Sequence, residues 1–255
     1  LALAGSMMTA DAADVNGQAE KAKALRQIST TPWPGDEPLK LTHTWDKTFP
    51  KSDKVDHSKV TFHNRYGITL AADLYRPKNR KGKMAALAVA GPFGAVKEQA
   101  AGLYAQKLAE MGFLTIAFDP SFVGESGGRA RNAASPDINT EDFSAAVDYL
   151  SNRSDVNPDK IGIVGICGFG GFALNAAAMD TRIKATVTST MYDMSRVISN
   201  GYFDYTKDED TLKKERMKRR KVLNEERTID YKKGNYKRDG GVVDPLPADA
   251  PQFVK

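Results

Sequence analysis

The stretch at residues 160–171, KIGIVGICGFGG, constrains this chain more than any other, because it joins a buried strand to a helix through a turn that demands small residues. Ile161-Gly162-Ile163-Val164 reads as a short strand covered on both faces, as in a parallel sheet. The chain then runs through Gly165-Ile166-Cys167-Gly168-Phe169-Gly170-Gly171 into a helix expected over residues 172–179. A frame of the form G-x-nucleophile-x-G lifts one reactive side chain above the carboxyl edge of a sheet. Here that side chain is Cys167. The helix start beyond it carries unpaired N–H groups and a partial positive charge, which suit an anionic sulfur. The N–H of Gly168 can point at a developing oxyanion. The plainer reading of a free cysteine is a small buried hydrophobe, but the glycine frame favours the reactive one. The frame's second glycine falls at position 169, where this chain has Phe, so Gly170 and Gly171 are expected to absorb the crowding.

The surrounding chain alternates strands and helices. Val60-Thr61-Phe62-His63 and residues 68–75, joined through 64–67, read as an antiparallel hairpin at a sheet edge. The apolar run at residues 84–90 closes on Gly91-Pro92-Phe93-Gly94 and precedes a helix expected over 96–111. A strand at 113–118 follows, then Asp119-Pro120, the loop 121–128, and a helix over 139–152 that starts near Thr140. After the cysteine turn comes a strand at 185–190. Such alternation predicts an α/β fold with a mainly parallel sheet and helices on both faces. Beyond Met191 the pattern changes to helices at 192–200 and 208–227, the second with only a narrow apolar stripe of Leu212, Met217, Val222 and Leu223.

The expected organisation is a leader remnant at 1–12, an N-terminal arm at 13–54 with a short helix near 19–28, an α/β core at 55–191 and a basic helical cap at 192–255. Residues 1–8, LALAGSMM, followed by Ala10-Asp11-Ala12, match the end of a signal peptide and its small-x-small cleavage site, which points to a periplasmic or secreted protein. The formal charge of +5 would hint at nucleic acid if it were spread over the domain. Instead residues 206–238 hold thirteen Lys and Arg against seven Asp and Glu, which leaves the rest of the chain near neutrality. Mixed signs without interleaved aromatics read as a solvated helix face, and no nucleic-acid partner is expected. No run reaches the roughly 18 apolar residues of a membrane span, so stable membrane insertion is not expected either. The lone cysteine excludes an internal disulfide.

Taken together, the hairpin, the GPFG turn, the Asp119…Gly124-Glu125-Ser126-Gly127-Gly128 loop, and GICGFGG followed by Ala173-Leu174-Asn175-Ala176-Ala177 resemble the α/β-hydrolase superfamily, and most closely bacterial dienelactone-hydrolase-like proteins. The resemblance covers about residues 60–191. It implies that Cys167 is the nucleophile and that the N–H groups of Gly168 and Phe93 form the oxyanion hole. It also implies a small-molecule ester, thioester or related acyl substrate, an acyl-cysteine intermediate, and no cofactor or metal.

The superfamily order is nucleophile, acid, histidine. His43, His57 and His63 all precede Cys167 and none follows it, so the acid, the histidine and the last core strands are expected beyond Lys255. His63 ends a strand of the outer hairpin, a poor platform for reaching a central nucleophile. Asp193 and Asp204 read as caps or loop charges. Dienelactone hydrolases carry a carboxylate near the thiol in the loop after the third strand; Gly91-Pro92-Phe93 offers none, which weakens a lactone assignment. Two alternatives stay open. Gly168-Phe169-Gly170-Gly171-Phe172-Ala173 fits the dinucleotide pattern G-x-G-x-x-A, with Asp193 further along, and a hydrolase-like fold can serve as a non-catalytic binding domain.

Overall fold

The computed structural model describes residues 38–129, 131–201 and 204–237. The leader-like residues 1–12, the helix expected at 19–28 and the proline-rich segment 244–251 lie outside them. The hairpin forms as β1 (Val55–His63) and β2 (Thr69–Pro77), paired antiparallel from Val55 against Pro77 to His63 against Thr69. Strands β3 (Met84–Ala90), β4 (Leu114–Phe118), β5 (Val156–Ile166) and β6 (Ile183–Ser189) follow. The order across the sheet is β1-β2-β4-β3-β5-β6. Among these pairs β1 with β2 and β2 with β4 run antiparallel; the others are parallel.

Helix α1 (Ala100–Glu110) covers one face of the sheet. It lies close because Ala101, Ala105 and Ala109 are the side chains set against Val89, Ala117 and Val164. Phe49 and Trp45 of the N-terminal arm pack beside them, and the Trp45 indole N–H donates to the Phe49 carbonyl at 2.9 Å. The arm therefore contributes to the core rather than only wrapping it. Helices α2 (Pro136–Ser151) and α3 (Phe169–Met179) cover the other face, where Ile161, Ile163, Leu114, Ile116 and the alanines of β3 meet Phe143, Phe169 and Phe172.

Several boundaries differ from expectation for local reasons. Helix α1 starts at Ala100 rather than 96, because the preceding residues turn Lys97 inward as a buried ion partner. Helix α2 starts four residues before Thr140: Ser135 accepts from the Ile138 N–H at 3.5 Å and Pro136 fills the first position, where its missing donor costs nothing. Thr140 is buried within that helix. Strand β5 is longer than expected and extends back to Val156 across an irregularity in its pairing with β3. Helix α3 begins at Phe169, immediately after Cys167 and Gly168.

After β6 come α4 (Met194–Asn200), a 3-10 turn (Asp204–Thr206) and α5 (Glu209–Lys233), which buries Leu212 and Asp230 and little else. The narrow stripe thus leaves α5 mostly in water, as its composition predicted. Among the described residues no helix is long and apolar enough to cross a membrane.

The aromatic cluster sets a testable stability. Phe143 is fully buried and meets Phe118 edge-on at 5.3 Å between ring centroids. Phe143→Ala should destabilise the fold by about 3–5 kcal/mol, measured by urea unfolding. A change below about 1 kcal/mol would show that the rings are not the packing centre of that face.

Candidate active site

Strand β5 delivers Cys167 to the carboxyl edge of the sheet, and the residue adopts φ +57°, a left-handed conformation that is costly for a side chain other than glycine. Three main-chain bonds fix it. The Cys167 N–H donates to the Ser189 carbonyl at 2.8 Å, and its own carbonyl accepts from Gly170 at 3.0 Å and Tyr192 at 3.2 Å. A side chain at Gly165 would drive its Cβ into the Phe169 carbonyl oxygen and bring it within 2.8 Å of the Ala173 Cβ. The helix therefore leaves the strand end at a separation that only glycine permits. The sulfur-bearing residue is half-buried, with its inner side against the α1 face of the core.

Phe169 occupies the place of the frame's second glycine without conflict, because its ring turns into the core, 5.2 Å from Phe172 and 5.5 Å from Phe93. Gly170 and Gly171 are crowded instead from outside the turn, by Met191 at 2.8 Å and the Tyr192 carbonyl at 3.1 Å from an added Cβ. Phe93, in the loop after β3, comes to the same place: its ring takes up the space that a Cβ on Gly168 would need. Among the described residues, neither the Phe93 N–H nor the Gly168 N–H donates to a protein acceptor. An oxyanion site requires donors that are not already taken by the protein.

The loop carrying Phe93 is anchored by a feature the sequence did not disclose. Lys97 is buried, and its ammonium lies 2.7 Å from carboxylate oxygens of Glu98, Asp119 and Glu125, which uses all three of its N–H donors. Its main-chain N–H also donates to Asp119 at 2.8 Å. Lys59 of β1 bonds Glu98 at 3.2 Å and makes a short contact with Glu125. Lys47 of the arm is likewise buried, 3.0 Å from Asp73, whose other oxygen accepts from His57 at 2.8 Å.

Burial works to lower the Lys97 pKa, but attraction from Asp119 and hydrogen bonds to Asp119, Glu125 and Glu98 outweigh it and hold the ammonium well above the ordinary lysine range. For Glu125, burial works to raise the pKa, yet hydrogen bonds from Lys59, Lys97 and the Thr42 N–H bring it down to about 2. Glu98, Asp119 and Glu125 hold oxygens within 4.8 Å of one another, a spacing that could bind a cation. The Lys97 ammonium already fills that place.

The histidines stand elsewhere. His57 and His63 lie on β1, four strand positions from β5. At about 4.8 Å per strand that is roughly 19 Å from the cysteine turn, beyond proton-transfer reach, and His57 is engaged with Asp73. Asp193 caps α4 by accepting from the Arg196 N–H at 3.0 Å, and Asp204 pairs with Arg196 at 2.6 Å. Both carboxylates thus serve locally, as expected.

The X-Pro dipeptidyl-peptidase family (S15 family) matches residues 66–237, a span that runs from the hairpin through the cysteine turn to α5. The chain belongs to this family. The S15-family chain is 69% identical over 167 residues to the uncharacterized protein PA2218 of Pseudomonas aeruginosa, which covers 65% of this chain and 45% of that protein. It is 30% identical over 137 residues to the thiohydrolase aneE of Aspergillus aculeatus, covering 54% of this chain and 42% of the relative. The crystal structure of PA2218 superposes with a TM-score of 0.72 at 60% identity, over 78% of this chain and 61% of that one. The α/β hydrolase GrgF of Penicillium superposes with a TM-score of 0.50 at 27% identity, over 56% of this chain and 50% of the other. The six-stranded sheet is thus that of an α/β hydrolase. The chain spans about half the length of the curated relatives it matches.

This S15-family geometry also bears on the dinucleotide pattern. The space before α3 is filled by the Phe93 ring and Met194 against Gly168, and by Met191 against Gly170. The glycines of that pattern are small so that the chain can pack on itself, and they do not form an open cradle for a pyrophosphate.

Two outcomes follow from the buried charges of the S15-family chain. Lys97→Met strands Asp119 without its cation and should cost about 3–5 kcal/mol in urea unfolding, whereas Lys107→Met, in the exposed Lys107–Glu110 pair, should cost under about 1 kcal/mol. Because the Glu125 pKa falls from 4.5 to about 2 on folding, its contribution is complete above the unfolded value and is lost as pH drops through that window. Stability should decline with falling pH there, and Glu125→Gln should flatten that part of the profile.

Proposed function

We propose that this chain carries the nucleophile of an acyl-transferring hydrolase acting on esters, thioesters or related small acyl compounds, with Cys167 as the attacking group. The observation that carries the reading is Cys167 itself, held at φ +57° on the strand-to-helix turn, with the Phe93 ring packed against the adjoining Gly168. In the reaction the sulfur attacks the acyl carbon and the carbonyl oxygen takes the negative charge, facing the N–H groups of Gly168 and Phe93. The alcohol or thiol then leaves with a proton, and water attacks the acyl-cysteine to release the acid.

Relatives named as a thiohydrolase and as an α/β hydrolase support the acyl class. This reading assigns no general base among the described residues, and the chain spans about half the length of the curated relatives it matches. A non-catalytic binding role is the second reading, favoured by one observation: among the described residues every histidine is remote from the thiol or exposed.

An aryl thioester incubated with the protein should leave an acyl group on the Cys167 peptide, detectable by mass spectrometry. Cys167→Ala should carry none. An intact protein that never acquires the label, or label found equally in the variant, would favour the binding role.

A further inference from the structure

The amino ends of β3, β4 and β5 meet on the side of the sheet opposite the cysteine turn, and there the loops leave a hollow of about 280 Å³. Its walls carry Arg80, Lys81 and Lys83 from the β2–β3 connection and Lys160 from the irregular start of β5. Met84 and Phe113 add apolar surface. Among the described residues no carboxylate lines it. Among the described residues none of the four cations has an ion-pair or hydrogen-bond partner, whereas Lys47, Lys59, Lys97, Arg153, Arg182 and Arg196 are all paired.

Like charges brought together around a recess repel one another unless an anion enters, so the arrangement raises the local affinity for negative charge. Arg80 is stationed rather than loose: its guanidinium nitrogen lies 2.6 Å from where a Cβ on Gly112 would stand, in the turn between α1 and β4. A planar guanidinium backed by ammonium groups matches phosphate oxygens in number and geometry. The hollow has room for about nine waters at ~30 Å³ each, so a bare phosphate would leave most of it empty. The apolar wall at Met84 and Phe113 suits an organic body attached to the phosphate.

We propose that this hollow is a second binding site, for a small phosphate monoester with an apolar or aromatic body. It lies about 23 Å from Cys167, seven residue steps from Lys160 along β5 at about 3.3 Å each, and does not depend on the acyl-transfer reading.

The test is calorimetric titration of the 255-residue protein with phenyl phosphate, with inorganic phosphate as the stripped-down probe and phosphatidylglycerol vesicles as the membrane arm. Phenyl phosphate should bind saturably and more tightly than inorganic phosphate. The double variant Arg80→Gln/Lys160→Gln should weaken it by about tenfold or more, with the urea midpoint unchanged because both side chains are exposed. Lys213→Gln on α5 and Cys167→Ala should bind as the parent does. Equal binding by the double variant, loss of binding in Cys167→Ala, absence of saturation, or vesicle binding that phenyl phosphate does not displace would each overturn the proposal.

Discussion

The close passage of α3 across the end of β5 is the constraint on which the rest of this structure turns. At Gly165 the strand and helix backbones approach too closely for any side chain, and the chain must reverse direction within Cys167 and Gly168 before Phe169 opens the helix. That reversal forces Cys167 into its left-handed conformation. The strain persists because three main-chain bonds, two of them to the segment from Ser189 to Tyr192, over-determine it. The surroundings of the thiol follow. Helix α3 starts two residues after it, the β3 loop closes on Gly168 through the Phe93 ring, and the residues after β6 fold over Gly170 and Gly171.

The sheet brings a second kind of order to the same edge. One face is an aromatic and aliphatic core beneath α2 and α3, stabilised by area removed from water. Toward the other face, α1 lies close on small residues. There, where β1, the arm and the loops after β3 and β4 converge, charges take the place of apolar filling. Lys47, Lys59 and Lys97 interleave with Asp73, Glu98, Asp119 and Glu125. Such groups are tolerated inside a protein only when nearly every donor and oxygen is matched, and here they join five parts of the chain, since Asp73 lies on β2.

Much of the fold was legible because hydrophobic period and turn residues agree along the chain. The hairpin, the strand runs at 84–90 and 161–164, and the strand-to-helix turn each have a local cause that needs no tertiary knowledge. The helix starts were harder. Thr140 has the composition of a cap but is buried inside α2, where its neighbour Asp142 accepts from Asn64, Ser121 and Asn139. Of the candidate site, the structure sets the Phe93 ring against Gly168, next to Cys167 in the chain. The three inward lysines were not visible, because lysine in a polar stretch reads as surface. Apart from Asp46 beside Lys47 and Glu98 beside Lys97, their partners come from residues tens of positions away.

The ammonium of Lys97 stands where three carboxylates would otherwise gather a dissolved ion. Its charge is tethered by the chain, so it can be neither diluted away nor stripped by a chelator. The seam between the two loops therefore keeps one composition whatever minerals surround the protein.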